Sequence, residues 1–186
     1  MKEDLIHNET IDNILSRQTV REYKKRELSL SELNTLLAAA IQAPSGRNSQ
    51  PCHARALINA ELLEELNTDF KNTVGWDTPA YTRWDTNPVY HRAPCMFFIF
   101  SHKDKPALID SGIMVENLAL AAKGLGLDSV IIASVGALFE GKYKDKWKTK
   151  LNIDSDFDFR IAIAIGEGDE KPEPKPRSLD HFAIIK

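Results

Sequence analysis

The chain has 186 residues, enough for one domain with a substantial core but too few for two independent domains. Its formal net charge of −3 argues against a general nucleic-acid binder and a membrane-surface protein, so we expect a small-molecule partner. No apolar run approaches the roughly 20 residues of a spanning helix, and the polar start does not resemble a signal peptide. We therefore predict a cytoplasmic protein whose two cysteines, Cys52 and Cys95, are reduced.

The first part of the chain predicts two helices followed by a polar loop. Thr10 can cap a first helix that ends near Arg17. Residues 29–32 have the sequence Ser-Leu-Ser-Glu, a capping box that predicts the start of a second helix. Pro44 ends this helix, because proline disfavours helical geometry in the residue before it.

A strand at residues 55–58 and a helix capped by Asn59 are predicted next, before the periodicity stops. Residues 72–94 then form a long connection, which we interpret as a variable lid or substrate loop. Its aromatic residues can stack on a ligand or simply pack; they are Trp76, Tyr81, Trp84 and Tyr90.

The second part of the chain predicts strands at 95–100, 129–133 and 159–165. A long helix from Ala107 to a left-handed stop at Gly124 has apolar residues on more than one face. Such a helix is typical of a central position or of a subunit interface. A further helix is predicted from the spacing of Phe139, Tyr143 and Trp147, and residues 167–186 are expected to run extended because prolines recur.

Basic residues near both ends of the chain are candidates for a phosphate site. Arg17 and Arg21 lie near the start, and Lys175 and Arg177 lie near the end. Several cationic donors together suit a doubly charged phosphate, and the planar guanidinium matches its oxygens. Taken singly, such residues are more often solvated surface cations.

The loop from Ala43 to Pro51 has the sequence Ala-Pro-Ser-Gly-Arg-Asn-Ser-Gln-Pro. Its hydroxyl, amide and small residues suit the lining of a ring that carries carbonyls and ring nitrogens. The alternative is an ordinary loop that stops a helix.

These segments, in this order, resemble the nitroreductase family of FMN-dependent flavoproteins over roughly residues 11–180. The most specific match is the Ala43–Pro51 loop, and the other matches are residues 14–23, 93–94, 117–126 and 174–177. The chain departs from the family pattern at Cys52, where tryptophan is common, and at Gln18, which replaces a frequent second arginine.

The resemblance implies an α+β fold, with a central, mainly antiparallel sheet flanked by helices in a three-layer α/β/α arrangement. Residues 1–186 would form a single FMN-binding domain, and two copies would form a homodimer with FMN at the subunit interface. The broadly apolar helix would then lie in that interface.

The resemblance also assigns cofactor contacts residue by residue. The phosphate and ribityl chain would be held by Arg17, Gln18, Thr19, Arg21, Lys175 and Arg177. The isoalloxazine would be lined by Pro44, Ser45, Asn48 and Gln50, the first three from the partner chain. Ser134 and Gly136 would present backbone groups near the reactive face of the flavin.

The implied activity is that of an FMN-dependent oxidoreductase. Hydride or electrons would pass from NADH or NADPH to nitroaromatic, quinone or related small acceptors by a ping-pong mechanism. The alternative is a flavin-binding storage or sensing protein with little turnover. We assign no catalytic side chain, because the flavin performs the redox step and the histidines have no visible triad partners. A metal site that combines His53 and His91 with Cys52 and Cys95 is not expected, because the spacing is wrong.

Overall fold

The computed structural model describes residues 5–77, 87–178 and 183–185. Its helices are α1 (Glu9–Ser16), α2 (Leu30–Ile41), α3 (Ala60–Val74), α4 (Lys105–Gly124) and α5 (Lys144–Lys150). Its strands are β1 (Cys52–Leu57), β2 (Cys95–Ser101), β3 (Asp128–Ile132) and β4 (Asp158–Gly166). Two stretches of 3₁₀ helix, Gly46–Asn48 and Ser134–Phe139, follow α2 and β3.

The four strands form one antiparallel sheet in the order β1-β2-β4-β3. Strand β2 is central and buried at every position, as its continuous apolar sequence predicts. Its side chains alternate between two cores, so Phe98 packs on one face of the sheet and Phe97 on the other. The expected α+β fold with a mainly antiparallel sheet is confirmed.

Helices cover both faces of this sheet. Helices α2 and α4 pack on the face that carries Phe97, through residues such as Leu36 and Leu118. Helices α3 and α5 pack on the opposite face, through residues such as Phe70 and Trp147. The three-layer order of helices, sheet and helices therefore follows from the alternation of apolar residues along the strands.

Most helix ends lie where the capping residues predict them. Ser29 and Glu32 form the expected capping box, and Asn59 caps α3 through the backbone N–H of Leu62. The first helix ends at Ser16 as expected, but its predicted cap was wrong, because Asn8 rather than Thr10 is the cap. The predicted left-handed glycine was also misplaced. Gly124 is the last residue of α4, and the glycine with a positive φ, 73°, is Gly126.

Two other element predictions need correction. Strand β1 begins at Cys52, three residues before the predicted start, because it pairs with β2 from that position. The aromatic spacing of Phe139, Tyr143 and Trp147 does not mark one helix: Phe139 ends a 3₁₀ segment and Trp147 lies in α5. The three rings share one core without sharing one helix.

Helix α4 buries only one face within the chain. Met114, Leu118 and Ala122 pack against the sheet, as the apolar pattern predicts. Ile109 is 66% exposed, and Ile41 at the end of α2 is 68% exposed. The alternative of a helix at the centre of the domain is therefore wrong, and the described residues leave an apolar surface on α4 and α2 uncovered.

The structure describes the two ends of the expected lid segment, residues 72–77 and 87–94. Helix α3 extends to Val74, Trp76 is exposed, and Tyr90 is buried. Tyr81 and Trp84 lie outside the described residues. Among the helices of the described part, none has the length and apolar character to cross a membrane.

Candidate functional site

The segment after α1, residues 17–25, forms a strap along the edge of the sheet. Thr19 pairs with Ser129 of β3, and the N–H of Val20 donates to the carbonyl of Ser129 at 3.0 Å. Strand β3 is an edge strand, so the strap occupies the outer side of that edge. The motif with Arg17 and Arg21 is thereby fixed to the sheet.

The same strap is hydrogen-bonded to the segment that follows β4, residues 167–177, here called the C-terminal segment. The N–H of Lys24 donates to the carbonyl of Glu167 at 2.9 Å, and the N–H of Asp169 donates to the carbonyl of Glu22 at 2.8 Å. A Cβ on Gly168 would lie 2.4 Å from Oδ2 of Asp128, so a larger residue there would displace this carboxylate. The two ends of the chain therefore meet beside β3.

The predicted phosphate residues are distributed along these two segments. Arg17 is largely buried, and its Nε lies 3.9 Å from Oε1 of Glu116 on α4. The backbone N–H of Arg21 donates to Oε1 of Glu170. Lys175 and Arg177 follow Glu170 closely in sequence and are exposed in an irregular segment.

A cavity of about 510 Å³ opens between the strap and the C-terminal segment. Its wall includes Gln18 and Lys171, one from each segment, and Lys123 from the end of α4. Asp128 and Glu170 contribute carboxylates to the same wall. An anion bound here meets the cations Lys123 and Lys171, but it also meets acidic side chains.

The polar loop after α2 is closed by its own hydrogen bonds. Oγ of Ser45 accepts from the N–H of Gln50 at 2.9 Å, and the carbonyl of Ser45 accepts from the N–H of Asn48 at 2.9 Å. Arg47, Asn48 and Gln50 have φ values of 56°, 56° and 48°, in the left-handed region. Non-glycine residues adopt this region infrequently, so the hydrogen bonds of the loop are needed to hold this conformation.

Two cavities adjoin this loop. The smaller, of about 110 Å³, is lined by Pro44, Ser45 and Gln50 together with Asp110 and Met114 of α4. The larger, of about 680 Å³, is lined by Arg47, Gln50, His53, His102, Asp104 and Phe157, among others. Its volume lies in the range of small-molecule sites.

The histidines beside the larger cavity pack on one aromatic ring. His53 and His102 lie on Phe157, with ring centroids 4.2 Å and 4.3 Å apart. Burial lowers the pKa of His53, and the nearby Arg55 adds to this effect. Within the described ranges, no group of three or more histidine, cysteine or acidic side chains is placed to hold a metal ion.

Cys52 occupies a polar niche against α4. Its Sγ lies 3.3 Å from Oγ of Ser111 and 3.9 Å from the carbonyl oxygen of Ala107. Burial raises the pKa of the Cys52 thiol, so the neutral form predominates at neutral pH. Burial also raises the pKa of Cys95 to about 12.

Ser134 and Gly136 lie in the 3₁₀ segment that directly follows β3. The N–H of Gly136 donates to the carbonyl of Ala133 at 3.0 Å. A Cβ on Gly136 would lie 3.1 Å from the ring of Phe159, so the glycine lets the backbone approach this ring. Both residues are at the end of β3 opposite to Ser129, beside which the strap lies.

The chain brings the strap and the C-terminal segment together, but it does not bring the loop to them. The strap lies outside β3, whereas the loop leads into β1 at the opposite edge of the sheet. Along α4, Asp110 faces the loop and Lys123 faces the strap. Thirteen residues of helix separate these two positions by about 20 Å.

Two residues of the candidate site were not predicted from the sequence. Asp110 lies in the buried stripe of α4, and a carboxylate among Met114 and Leu118 was a signal that could have been used. Glu170 gave no such signal, because its contact with Arg21 depends on how the two ends of the chain meet.

The architecture defines an α+β protein with a central antiparallel sheet, and comparison with known proteins specifies the class. The sequence profile of the nitroreductase family matches residues 14–167. The chain therefore belongs to the nitroreductase family.

Two solved structures of similar fold are nitroreductases with bound FMN, from Desulfitobacterium hafniense DCB-2 and Bacteroides fragilis NCTC 9343. Each has a TM-score of 0.88 and 26% sequence identity, and the match covers 97% of this chain and 100% of the other.

Two relatives are similar in sequence. One, from Archaeoglobus fulgidus, carries the provisional name NADH dehydrogenase/NAD(P)H nitroreductase and is 29% identical over 125 residues, 66% of each chain. The other, iodotyrosine deiodinase of Thermotoga neapolitana, is 30% identical over 125 residues, 59% of this chain and 67% of its own. The matched part thus spans about two thirds of these relatives.

Proposed function

We propose that the protein is an FMN-dependent oxidoreductase that takes electrons from NADH or NADPH and reduces nitroaromatic, quinone or related small acceptors. The observation that carries this proposal is the junction of the strap and the C-terminal segment beside β3. Residues that the sequence assigns to one phosphate lie on those two segments. The FMN-bound nitroreductases of the same fold support the choice of cofactor.

The residues present fit an FMN phosphate. Arg17 and Arg21 belong to a fixed strap, and Lys175 and Arg177 follow a segment that is hydrogen-bonded to it. Guanidinium and ammonium groups from both sides would neutralise a doubly charged phosphate. The half-buried Gln18 and Thr19 would contact the ribityl chain through polar groups.

A second copy of the chain would complete each site. Pro44, Ser45 and Asn48 lie at the opposite sheet edge from the strap, so these three residues would reach the ring from the partner chain. The uncovered apolar surface around Ile41 and Ile109 would bury itself in such a homodimer.

The bound flavin would supply the redox chemistry, accepting hydride from a nicotinamide and returning electrons to the second substrate. The chain's own residues would bind and orient it. The backbone at Ser134 and Gly136 would lie near its reactive face, and the preformed Ser45–Gln50 loop would exclude water from the ring. No side chain is needed as a general acid or base.

The deciding experiment is anaerobic reduction of the purified flavoprotein by NADH and by NADPH. We expect bleaching of the flavin absorbance, reoxidation by a quinone or nitroarene, and the parallel double-reciprocal plots of a ping-pong mechanism. Flavin that binds but is reduced by neither nicotinamide would favour the storage or sensing alternative. The similarity to iodotyrosine deiodinase adds halogenated tyrosine to the acceptor panel.

A further inference from the structure

Asp110 is a buried carboxylate with only one of its oxygens paired. The residue is 6% exposed on α4, and its Oδ1 accepts from the N–H of Gly46 at 3.3 Å. Its Oδ2 is buried and has no hydrogen-bond partner in the part of the chain that the structure describes. An unpaired buried carboxylate oxygen is strongly unfavourable, so a donor is expected here in the working protein.

The neighbouring polar groups do not supply this donor. Oγ of Ser111 donates to the carbonyl of Ala107 at 2.6 Å, and Sγ of Cys52 is engaged with Ser111. The cavity is lined by the apolar Pro44 and Met114 and also by Ser45 and Gln50, but neither of these polar residues donates to Oδ2. A group that enters the cavity can supply the missing donor.

The cavity size restricts what can enter. Its volume of about 110 Å³ is a few times the roughly 30 Å³ that one water occupies in the liquid, so it admits the edge of a ring or a short polar chain. Ser45 and Gln50, which we assign to the flavin, line the same cavity. The entering group would thus belong to the ligand of this loop.

We propose that Oδ2 of Asp110 accepts a hydrogen bond from FMN while Oδ1 holds the flavin loop at Gly46. The donors that oxidised FMN offers beside its phosphate are the ring N3–H and the ribityl hydroxyls. This inference rests on the proposed function, since it places FMN at the loop. It makes Asp110 a flavin contact as well as the support of a loop with left-handed Arg47, Asn48 and Gln50.

The test compares three ligands on the apoprotein by fluorescence titration. They are FMN, N3-methyl FMN, and an analogue whose ribityl hydroxyls are absent but whose phosphate remains. Asp110→Asn keeps the shape and an oxygen for Gly46 but turns a donor toward the cavity. We expect it to weaken FMN binding about 10-fold to 100-fold, the range for a charge-assisted hydrogen bond.

The pattern across ligands identifies the contact. One of the two analogues lacks the donor that Asp110 contacts. The wild type should bind this analogue less tightly than FMN, and Asp110→Asn should not weaken its binding further. The control Ser111→Ala alters the next buried polar side chain of α4 and should leave all three affinities nearly unchanged.

Equal weakening of all three ligands by Asp110→Asn would reduce Asp110 to a support of the loop and overturn the inference. If the variant does not fold, the affinities of the wild type still test the inference. Equal affinity of the wild type for all three ligands would also overturn the inference. Either result leaves FMN binding by the wild type intact. A wild type that binds no FMN would instead refute the proposed function.

Discussion

The backbone N–H of Arg21 donates a hydrogen bond to Oε1 of Glu170. A carboxylate therefore lies directly beside a residue that we assign to the FMN phosphate. Two anions at one cationic site repel each other. Glu170→Gln keeps an acceptor for Arg21 and removes the charge. We expect FMN affinity to rise several-fold, about 1 kcal/mol at this partly exposed site. Fluorescence titration measures it, with the exposed Glu173→Gln as control; unchanged or weaker binding would contradict the expectation.

Arg21→Ala and Arg177→Ala should each weaken FMN binding without unfolding the chain. Each removes a charged donor to phosphate, worth about 1.5 to 3 kcal/mol, which corresponds to roughly 10-fold to 100-fold in affinity. Titration of the apoproteins gives the affinities, and thermal unfolding checks the fold. Lys25→Ala, an exposed cation in the strap segment, is the matched control. Unchanged affinity in both arginine variants would mean that the phosphate lies elsewhere.

Ile109→Asp should disrupt the proposed homodimer. Ile109 is 66% exposed on α4, and a carboxylate at that position would be buried unpaired in an interface. We expect light scattering to report a monomer at micromolar concentration and FMN affinity to fall at least 10-fold, because each site needs two chains. Ile58→Asp, at an isoleucine 55% exposed beyond β1, should do neither. A dimeric Ile109→Asp protein would place the interface on another surface.

Glu32 should make stability depend on acid pH. The Arg26 guanidinium and the N–H of Ser29 lower the pKa of Glu32 from 4.5 to about 2. A lowered pKa contributes stability that is complete above pH 4.5 and is lost as the pH falls toward 2. Glu32→Gln should therefore cost about 1 kcal/mol at pH 7 and progressively less below pH 4.5, as urea unfolding would show.

The control for this prediction is Glu27→Gln, which alters an exposed glutamate outside the capping box. A cost of Glu32→Gln that stays constant down to pH 3 would show that the Arg26 pair does not set its pKa.

The sequence predicted the fold where local chemistry decides it. The capping box at Ser29 and the apolar run of β2 needed no tertiary information. The single-helix interpretation of Phe139 and Trp147 failed because residues at helical spacing can meet in one core through two short elements. The start of β1 at Cys52 was missed because strand length there is set by pairing with β2.

Some features of the candidate site were likewise predictable from local sequence, and others were not. The loop at Ser45 was recognisable because it is contiguous in sequence. The contact of Arg21 with Glu170 and that of Asp110 with Gly46 join residues far apart in sequence, so no local pattern reports them. The left-handed geometry of Arg47 and Gln50 was also hidden, since such residues carry no glycine signal.

The most direct test of the phosphate site compares FMN with riboflavin, which has the same ring and ribityl chain but no phosphate. Equilibrium titration of the apoprotein should give one FMN per chain and an affinity for riboflavin at least 100-fold lower. The difference reflects the loss of several charged hydrogen bonds from Arg17, Arg21, Lys175 and Arg177. Equal affinity for both flavins, or no binding of FMN, would contradict the assignment of these residues to a flavin phosphate.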